Sequence, residues 1–248
     1  MIRSFLFAPA NVPRRVEKAL TLAADAVIFD LEDSVAPSDK PGARKSASDL
    51  HAVDWVMANL EREQGVAEGS IDLMPIIETA AGVQRVDRII QARNLRPYEG
   101  PWRVKRVAFG AGDYGNDVGL SPTLDEPELA DARARLVLAS RAAGLENPID
   151  SPWFHFGEVD AFRRSLERSR RGGFQGRLCV HPDQIAPVNE AYLPSVEEVS
   201  RAERIVTAFA AAEAKGEAAI QVDGQMIDYP IVHRARALLE TMRKAKAR

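Results

Sequence analysis

The sequence predicts an α/β fold built on a parallel sheet, and three observations carry that prediction. Short apolar runs alternate with stretches of helical periodicity, the pattern of strand–helix–strand units. Several of the apolar runs end in a charged or polar residue followed by a loop: Glu32 and Asp33, Glu78, Asp113, Asp150 and His181. The chain has 248 residues, and parallel α/β barrels run to about 250 residues and place their active sites at the C-terminal ends of the strands.

Taken in order, the first strand is Ser4–Ala8, closed by Pro9. A helix follows, with Pro13 in its first turn and Val16, Leu20 and Ala23 at helical spacing. Ala26–Leu31 is the second strand and Ala52–Glu63 a helix stopped near Gly65. Ile71–Ile77 reads as a strand ending at Glu78, Gly82–Ala92 as a helix, and Val104–Phe109 as a strand leading into the loop Gly110-Ala111-Gly112-Asp113. Glu126–Ala143 is a long helix with Gly144 placed to stop it. Asn147–Asp150, the helix Val159–Arg170 and the strand Arg177–Val180 complete the alternation. Val196–Lys215 is an Ala- and Glu-rich helix, and the composition changes after Gly216. This divides the chain into a barrel domain, 1–215, and a C-terminal lid, 216–248, with a turn at Asp223-Gly224 and a final helix from Pro230.

The bulk composition excludes several function classes. Thirty-three basic and 36 acidic residues leave a net charge of −3, too balanced for a nucleic-acid or membrane surface as the main partner. No apolar stretch approaches the roughly 20 residues that span a bilayer, and Met1–Ala10 lacks the layout of a signal peptide. The single cysteine, Cys179, rules out an intrachain disulfide and is compatible with a reducing cytoplasm. It lies in the apolar run Leu178-Cys179-Val180, as a small core residue would.

Chemistry concentrates on Glu78 and Asp113. Each follows an apolar strand, so both carboxylates can converge on one hard cation, and Mg²⁺ favours one or two carboxylates plus water and substrate oxygens. Nothing in the sequence has zinc-ligand spacing. Gly110, Gly112 and Gly115 have the spacing of a dinucleotide loop, but Asp113 inside the motif would repel a pyrophosphate, and Gly119 and Pro122 break the expected helix start. Small residues that let Asp113 reach a ligand are the better reading.

The motifs together resemble the citrate lyase β-subunit-like (HpcH/HpaI aldolase/citrate lyase) family, close to malyl-CoA and citramalyl-CoA lyases. The opening carries Arg3-Ser4, Leu6-Phe7-Ala8-Pro9-Ala10, Glu17-Lys18-Ala19 and Phe29-Asp30-Leu31-Glu32-Asp33-Ser34-Val35-Ala36-Pro37. Pro75-Ile76-Ile77-Glu78-Thr79-Ala80-Ala81-Gly82 and Ala108-Phe109-Gly110-Ala111-Gly112-Asp113 look like the family's two metal-ligand motifs. Val180-His181-Pro182-Asp183-Gln184-Ile185 and Asp223-Gly224-Gln225-Met226-Ile227-Asp228-Tyr229-Pro230 match its C-terminal motifs. The resemblance implies a TIM-type (β/α)₈ barrel with a lid, and a lyase that cleaves or forms a 3-hydroxyacyl-CoA thioester. Glu78 and Asp113 would bind Mg²⁺, with Glu32 and Asp33 bordering the site. Phe7 and Lys18 would contact CoA. A family Arg falls on Val12 here, so Arg14 or Arg15 would take its place. Asp228 would be an acid/base carboxylate reaching a neighbouring subunit, which implies a homo-oligomer, a trimer or hexamer; on its own it reads as a helix N-cap before Pro230. His181 is expected to be structural. Three other functions compete: a pyruvate aldolase that does not use CoA, a condensing enzyme of malate-synthase type, and a non-catalytic ligand-binding subunit.

One departure from the family is large. Its members have two further strands between the Lys40 region and the helix at Ala52, one bearing an Arg for the substrate carboxylate. Here Ala43-Arg44-Lys45 runs almost directly into Ser46-Ala47-Ser48-Asp49-Leu50. Six strands stand where a closed barrel needs eight, a deficit of about 40–50 residues, or a βαβ unit with its loops. Omission of a segment is favoured over a true deletion, because deletion would expose two sheet edges and the barrel interior.

Overall fold

The structure is a computed structural model that describes residues 1–9, 13–30, 48–91 and 102–246. The chain divides into two compact units, Ile2–Asn189 and Glu190–Arg248. In the first, β1 (Ser4–Pro9) leads to α1 (Pro13–Leu20) and β2 (Ala26–Asp30). Next come α2 (Ser48–Glu63), β3 (Ile76–Ile77), α3 (Ala80–Gln84) and α4 (Val86–Gln91). β4 (Ala108–Phe109) runs into α5 (Ala111–Val118), and a 3₁₀ turn at Pro127–Leu129 opens α6 (Ala130–Ala142). β5 (Ile149–Asp150), α7 (Val159–Arg171), β6 (Gly176–Cys179) and α8 (Ile185–Ala191) follow.

The six strands form one parallel sheet in the order β2-β1-β6-β5-β4-β3. One face is apolar along its whole width. Phe5 of β1, Ala108 of β4, Ile149 of β5 and Leu178 of β6 are buried together, with Ile28 of β2 and Ile76 of β3 packed against them. β6 approaches β1 so closely that a Cβ on Gly176 would lie 2.2 Å from the Arg3 carbonyl oxygen. Only glycine fits there. The starts of β1 and β2 are tied by Arg3, whose Nε and Nη2 donate to the two Asp25 carboxylate oxygens at 2.8 and 3.0 Å.

Some predicted elements are shorter or broken. Leu73 and Val104 form only an isolated parallel bridge ahead of β3 and β4. The helix expected over 82–92 is interrupted at Arg85. The helix expected from Glu126 begins as a 3₁₀ turn, with Glu126 itself at φ 49°. The supposed loop at 110–113 is instead the first turn of α5. Gly119, which was read as breaking that helix, ends it in a left-handed C-cap at φ 70°.

In the second unit, Ser195 and Glu198 form a capping box that starts α9 (Val196–Glu213). A hairpin of β7 (Ile220–Val222) and β8 (Gln225–Ile227) turns on Asp223 and Gly224, both at positive φ, as a two-residue hairpin loop demands. α10 (Tyr229–Lys246) packs back on α9. Ala202, Ile205 and Phe209 meet Ile227, Val232 and Ala235 in a core of their own. The segment after Gly216 is thus anchored by α9. Among the described residues, no helix is long and apolar enough to cross a membrane. The junction around Lys45 and Ser46 lies outside the described residues.

Candidate metal and thioester site

The site begins where β3 and β4 end side by side. Gly110 N–H donates to the Ile77 carbonyl at 3.0 Å, so the two chains leave the sheet in register. Glu78 is half-buried, and its side chain lies across Gly110. A Cβ on Gly110 would sit 2.6 Å from Glu78 Cβ and 2.7 Å from Glu78 Oε2. The glycine is the room that the carboxylate occupies. Asp113 stands exposed in the first turn of α5. α5 is fixed in turn by Asp117, whose carboxylate accepts from Ala80 N–H at 2.7 Å at the start of α3, where Thr79 is the N-cap. Two carboxylates therefore leave neighbouring parallel strands at the same end of the sheet. The described residues contain no group of three or more His, Cys, Asp or Glu side chains placed to hold a metal ion. Two carboxylates are hard oxygen donors, and such a pair would suit Mg²⁺ with its retained waters.

The other expected site residues are spread more widely. Phe7 is half-buried on β1 and packs on the interior layer. Arg14 and Lys18 are exposed on α1, one helical turn apart. Glu32 and Asp33 lie outside the described residues. Asp228, in the second unit, precedes α10, and Ile231 N–H donates to its carboxylate at 3.4 Å and to its carbonyl at 3.1 Å. His181 caps the 3₁₀ turn Pro182–Gln184 by accepting from Asp183 N–H on Nδ1. Cys179 is fully buried, and burial pushes its thiol up to about 12, which leaves it inert.

Asp150 does not join the strand-end carboxylates at a ligand. It is fully buried beneath them in an ion-pair network. Burial alone would raise its carboxyl, but Arg133 and Arg177 outweigh that and hold it below the usual range. Arg133 Nε donates to Asp150 at 3.0 Å and its Nη2 to Glu126 at 3.1 Å. Arg177, also fully buried, donates to the Ser151 carbonyl at 2.7 Å and to Ser165 Oγ at 2.7 Å. Its guanidinium lies 5.8 Å from the Trp153 ring and 5.7 Å from that of Phe162. The network holds the loop 151–157 against the sheet, and the Phe154 ring of that loop lies 3.6 Å from where a Gly112 Cβ would be. Sequence reasoning missed this loop. The legible signal was the aromatic run Trp153-Phe154-His155-Phe156 directly after a strand.

The model of the HpcH/HpaI aldolase/citrate lyase family matches residues 3–55 and 45–182, which covers well over half of the chain. The chain belongs to that family. Its two matched stretches overlap at 45–55, between β2 and β3, the outermost strands of the sheet among the described residues. The citrate lyase subunit beta-like protein of Deinococcus radiodurans is 30% identical, with 96% of each chain covered. The alignment runs over 275 positions against 248 residues here, so at least 27 positions (275 less 248) have no residue in this chain. The L-malyl-CoA/beta-methylmalyl-CoA lyase of Cereibacter sphaeroides is 28% identical over 96% of this chain and 93% of its own. The CitE protein of Mycobacterium tuberculosis, solved with magnesium, acetoacetate and coenzyme A, is 26% identical, with a TM-score of 0.72 and 97% of each chain covered. The relatives named for their activity are thus lyases.

Proposed function

We propose that this chain is a Mg²⁺-dependent carbon–carbon lyase that cleaves, or in reverse forms, a 3-hydroxyacyl-CoA thioester such as malyl-CoA, citramalyl-CoA or citryl-CoA. One observation carries the reading: Glu78 is seated on Gly110 beside Asp113, on adjacent strand ends. Mg²⁺ held by these carboxylates would polarise the substrate hydroxyl or nascent keto oxygen. With the cation neutralising Asp113, the first-turn N–H groups of α5 would suit the carboxylate of the keto-acid half, because a helix N-terminus favours an anion. Arg14 and Lys18, on one face of α1, offer cations to the CoA phosphates, and Phe7 offers an apolar contact. A base takes the hydroxyl proton, and the C–C bond breaks to give a keto acid and the enolate of the acyl thioester. Asp228 then delivers a proton to the enolate carbon. The sheet is read as a TIM-type (β/α)₈ barrel short of two strands, in a cytoplasmic homo-oligomer, trimer or hexamer, whose lid from 216 onward carries Asp228 to a neighbouring copy. Glu32 and Asp33 border the metal.

Replacing Glu78 with Gln removes one charge and one ligand at constant shape. Turnover of malyl-CoA and citramalyl-CoA with Mg²⁺ should be abolished while far-UV circular dichroism and melting stay close to the parent. Full activity in that variant overturns the reading. That β2 and β3 are the outermost strands among the described residues favours a second one, a non-catalytic ligand-binding subunit. Mg²⁺ and CoA binding by the parent chain without turnover of any such thioester would support it.

A further inference from the structure

The loops after β5 and β6 enclose a cavity of about 460 Å³ that no step above uses. Its walls are Trp153, Phe162, Phe156, His155, His181 and Pro187. Trp153 and Phe162 are buried and stacked with their ring centroids 5.7 Å apart, and Arg177 packs against both, so they form a rigid back wall. Phe156 is 61% exposed and meets the His181 ring edge-on at 5.5 Å. His181 is itself fixed by the Asp183 N–H on its Nδ1. An exposed phenylalanine held in place by a fixed ring, over a rigid aromatic wall, is an unfilled apolar surface of ligand-pocket size. The carboxylates of Glu158 and Asp183 stand on its lining.

Position ties this cavity to the thioester site. It opens at the C-terminal ends of β5 and β6, in the same parallel sheet and at the same end as Glu78 and Asp113. The loop that forms one wall also lays Phe154 against Gly112, the residue before Asp113. A substituent on the substrate that points away from the reacting carbons along the loop 151–157 would enter it. We infer that this cavity is an acyl pocket that selects thioesters with a neutral, bulky apolar substituent, branched or aromatic. The inference rests on the function proposed above and adds the substrate class. Aromatic walls favour a ring or branched chain. Glu158 and Asp183 repel a second carboxylate on the acyl group.

The pantetheine arm of CoA is also partly apolar, so the test separates the two sources. Dissociation constants of CoA, acetyl-CoA, isobutyryl-CoA and phenylacetyl-CoA are measured by calorimetry on the full chain with Mg²⁺. Isobutyryl- and phenylacetyl-CoA should bind at least about 10-fold more tightly than acetyl-CoA, as added apolar groups do in a matching pocket. Val159 lines the cavity, is 53% exposed and opens α7, so Val159→Trp can fill the space without disturbing buried packing. It should bring the ratio of acetyl- to phenylacetyl-CoA dissociation constants to about one. A flat series in the parent overturns the inference and leaves the proposed function standing. So does equal weakening of CoA and every thioester by Val159→Trp, which would assign the cavity to the pantetheine arm. Failure of CoA and all its thioesters to bind the parent overturns the proposed function and the inference with it.

Discussion

Gly110→Ala isolates the geometry of the carboxylate site with a single methyl group. Gly110 has φ −104°, a value any residue adopts, so the substitution carries no backbone strain and acts through contact alone. The new Cβ would lie 2.6 Å from Glu78 Cβ, 2.7 Å from Glu78 Oε2 and 3.0 Å from Ile76 Cγ2, where ordinary contact begins at 3.4 Å. The carboxylate tip can swing away, but the Glu78 Cβ is fixed to the end of β3, so the strand end or α5 must move by about 1 Å. A misplacement of that size costs about 100-fold in a positioned reaction, or about 2.7 kcal/mol of barrier. Overpacking costs about 1–3 kcal/mol of stability. The assay is kcat/KM for thioester cleavage as a function of Mg²⁺, with urea unfolding of the same preparation. Gly112→Ala is the matched control, since its Cβ would meet only the Phe154 ring at 3.6 Å, an ordinary contact. Equal kcat/KM and Mg²⁺ dependence in Gly110→Ala and the parent would refute the seating of Glu78 on Gly110 as a determinant of the site.

Other perturbations test the supports of the site. Arg177→Met leaves Asp150 buried with one fewer cation and unpins the loop 151–157; the unfolding free energy from urea titration should fall by about 3–5 kcal/mol, and a loss under about 1 kcal/mol would discount the network. Glu61, on α2, takes a bidentate contact from the buried Arg103 at 2.6 Å, and the Arg103 hydrogen bond lowers its carboxyl from 4.5 to about 2. The folded value is depressed, so this contribution is fully present above about pH 4.5 and is lost as pH falls towards 2; the urea midpoint of the parent should drop through that window, and that of Glu61→Gln should be lower at neutral pH and flatter across it. Asp228→Asn should lower turnover by about 10²–10⁴ with Mg²⁺ affinity unchanged, and mixing it with Glu78→Gln subunits should restore part of the activity; no recovery in verified mixed oligomers counts against action in trans.

What the sequence disclosed depended on how local its signal was. Ser4–Pro9, Ala26–Asp30 and Val159–Arg171 are close to their expected bounds, because each combines a clean period with a Pro, Asp or Gly at its boundary. The strands before Glu78 and Gly110 were overestimated, since their apolar runs are long but only the last two residues of each pair in the sheet. Apolar character reports burial, and burial exceeds pairing here. Glu78 and Asp113 were legible as strand-end acids, whereas the role of Gly110 as the space for Glu78 was not, because it depends on a neighbouring strand 32 residues away (110 less 78). Asp150 looked identical to Glu78 in sequence. Only the fold separates them, by bringing Arg133 and Arg177 onto Asp150 and seating Glu78 against Gly110. Arg103, too, gives no local signal in the sequence and is fully buried between Asp54 and Glu61.

Among the described residues the sheet runs β2-β1-β6-β5-β4-β3, with β2 and β3, which are consecutive in the chain, at its two ends. The two stretches of the family match overlap at 45–55, between those same two strands. Glu78 directly follows β3, which among the described residues pairs with β4. The contacts described around it from the β4 side are the Gly110 N–H to Ile77, the close approach over Gly110 and the Asp117 link from α5 to α3. The recognition surfaces proposed for substrate lie on that side as well: the start of α5, the loop 151–157 and the cavity behind it. If the proposed function holds and the substrate carboxylate finds its donors on α5, selectivity should depend on the acyl half more than on the keto-acid half. Competition by pyruvate, glyoxylate and oxaloacetate should accordingly be weak and similar in strength, and a large preference among them would overturn that assignment.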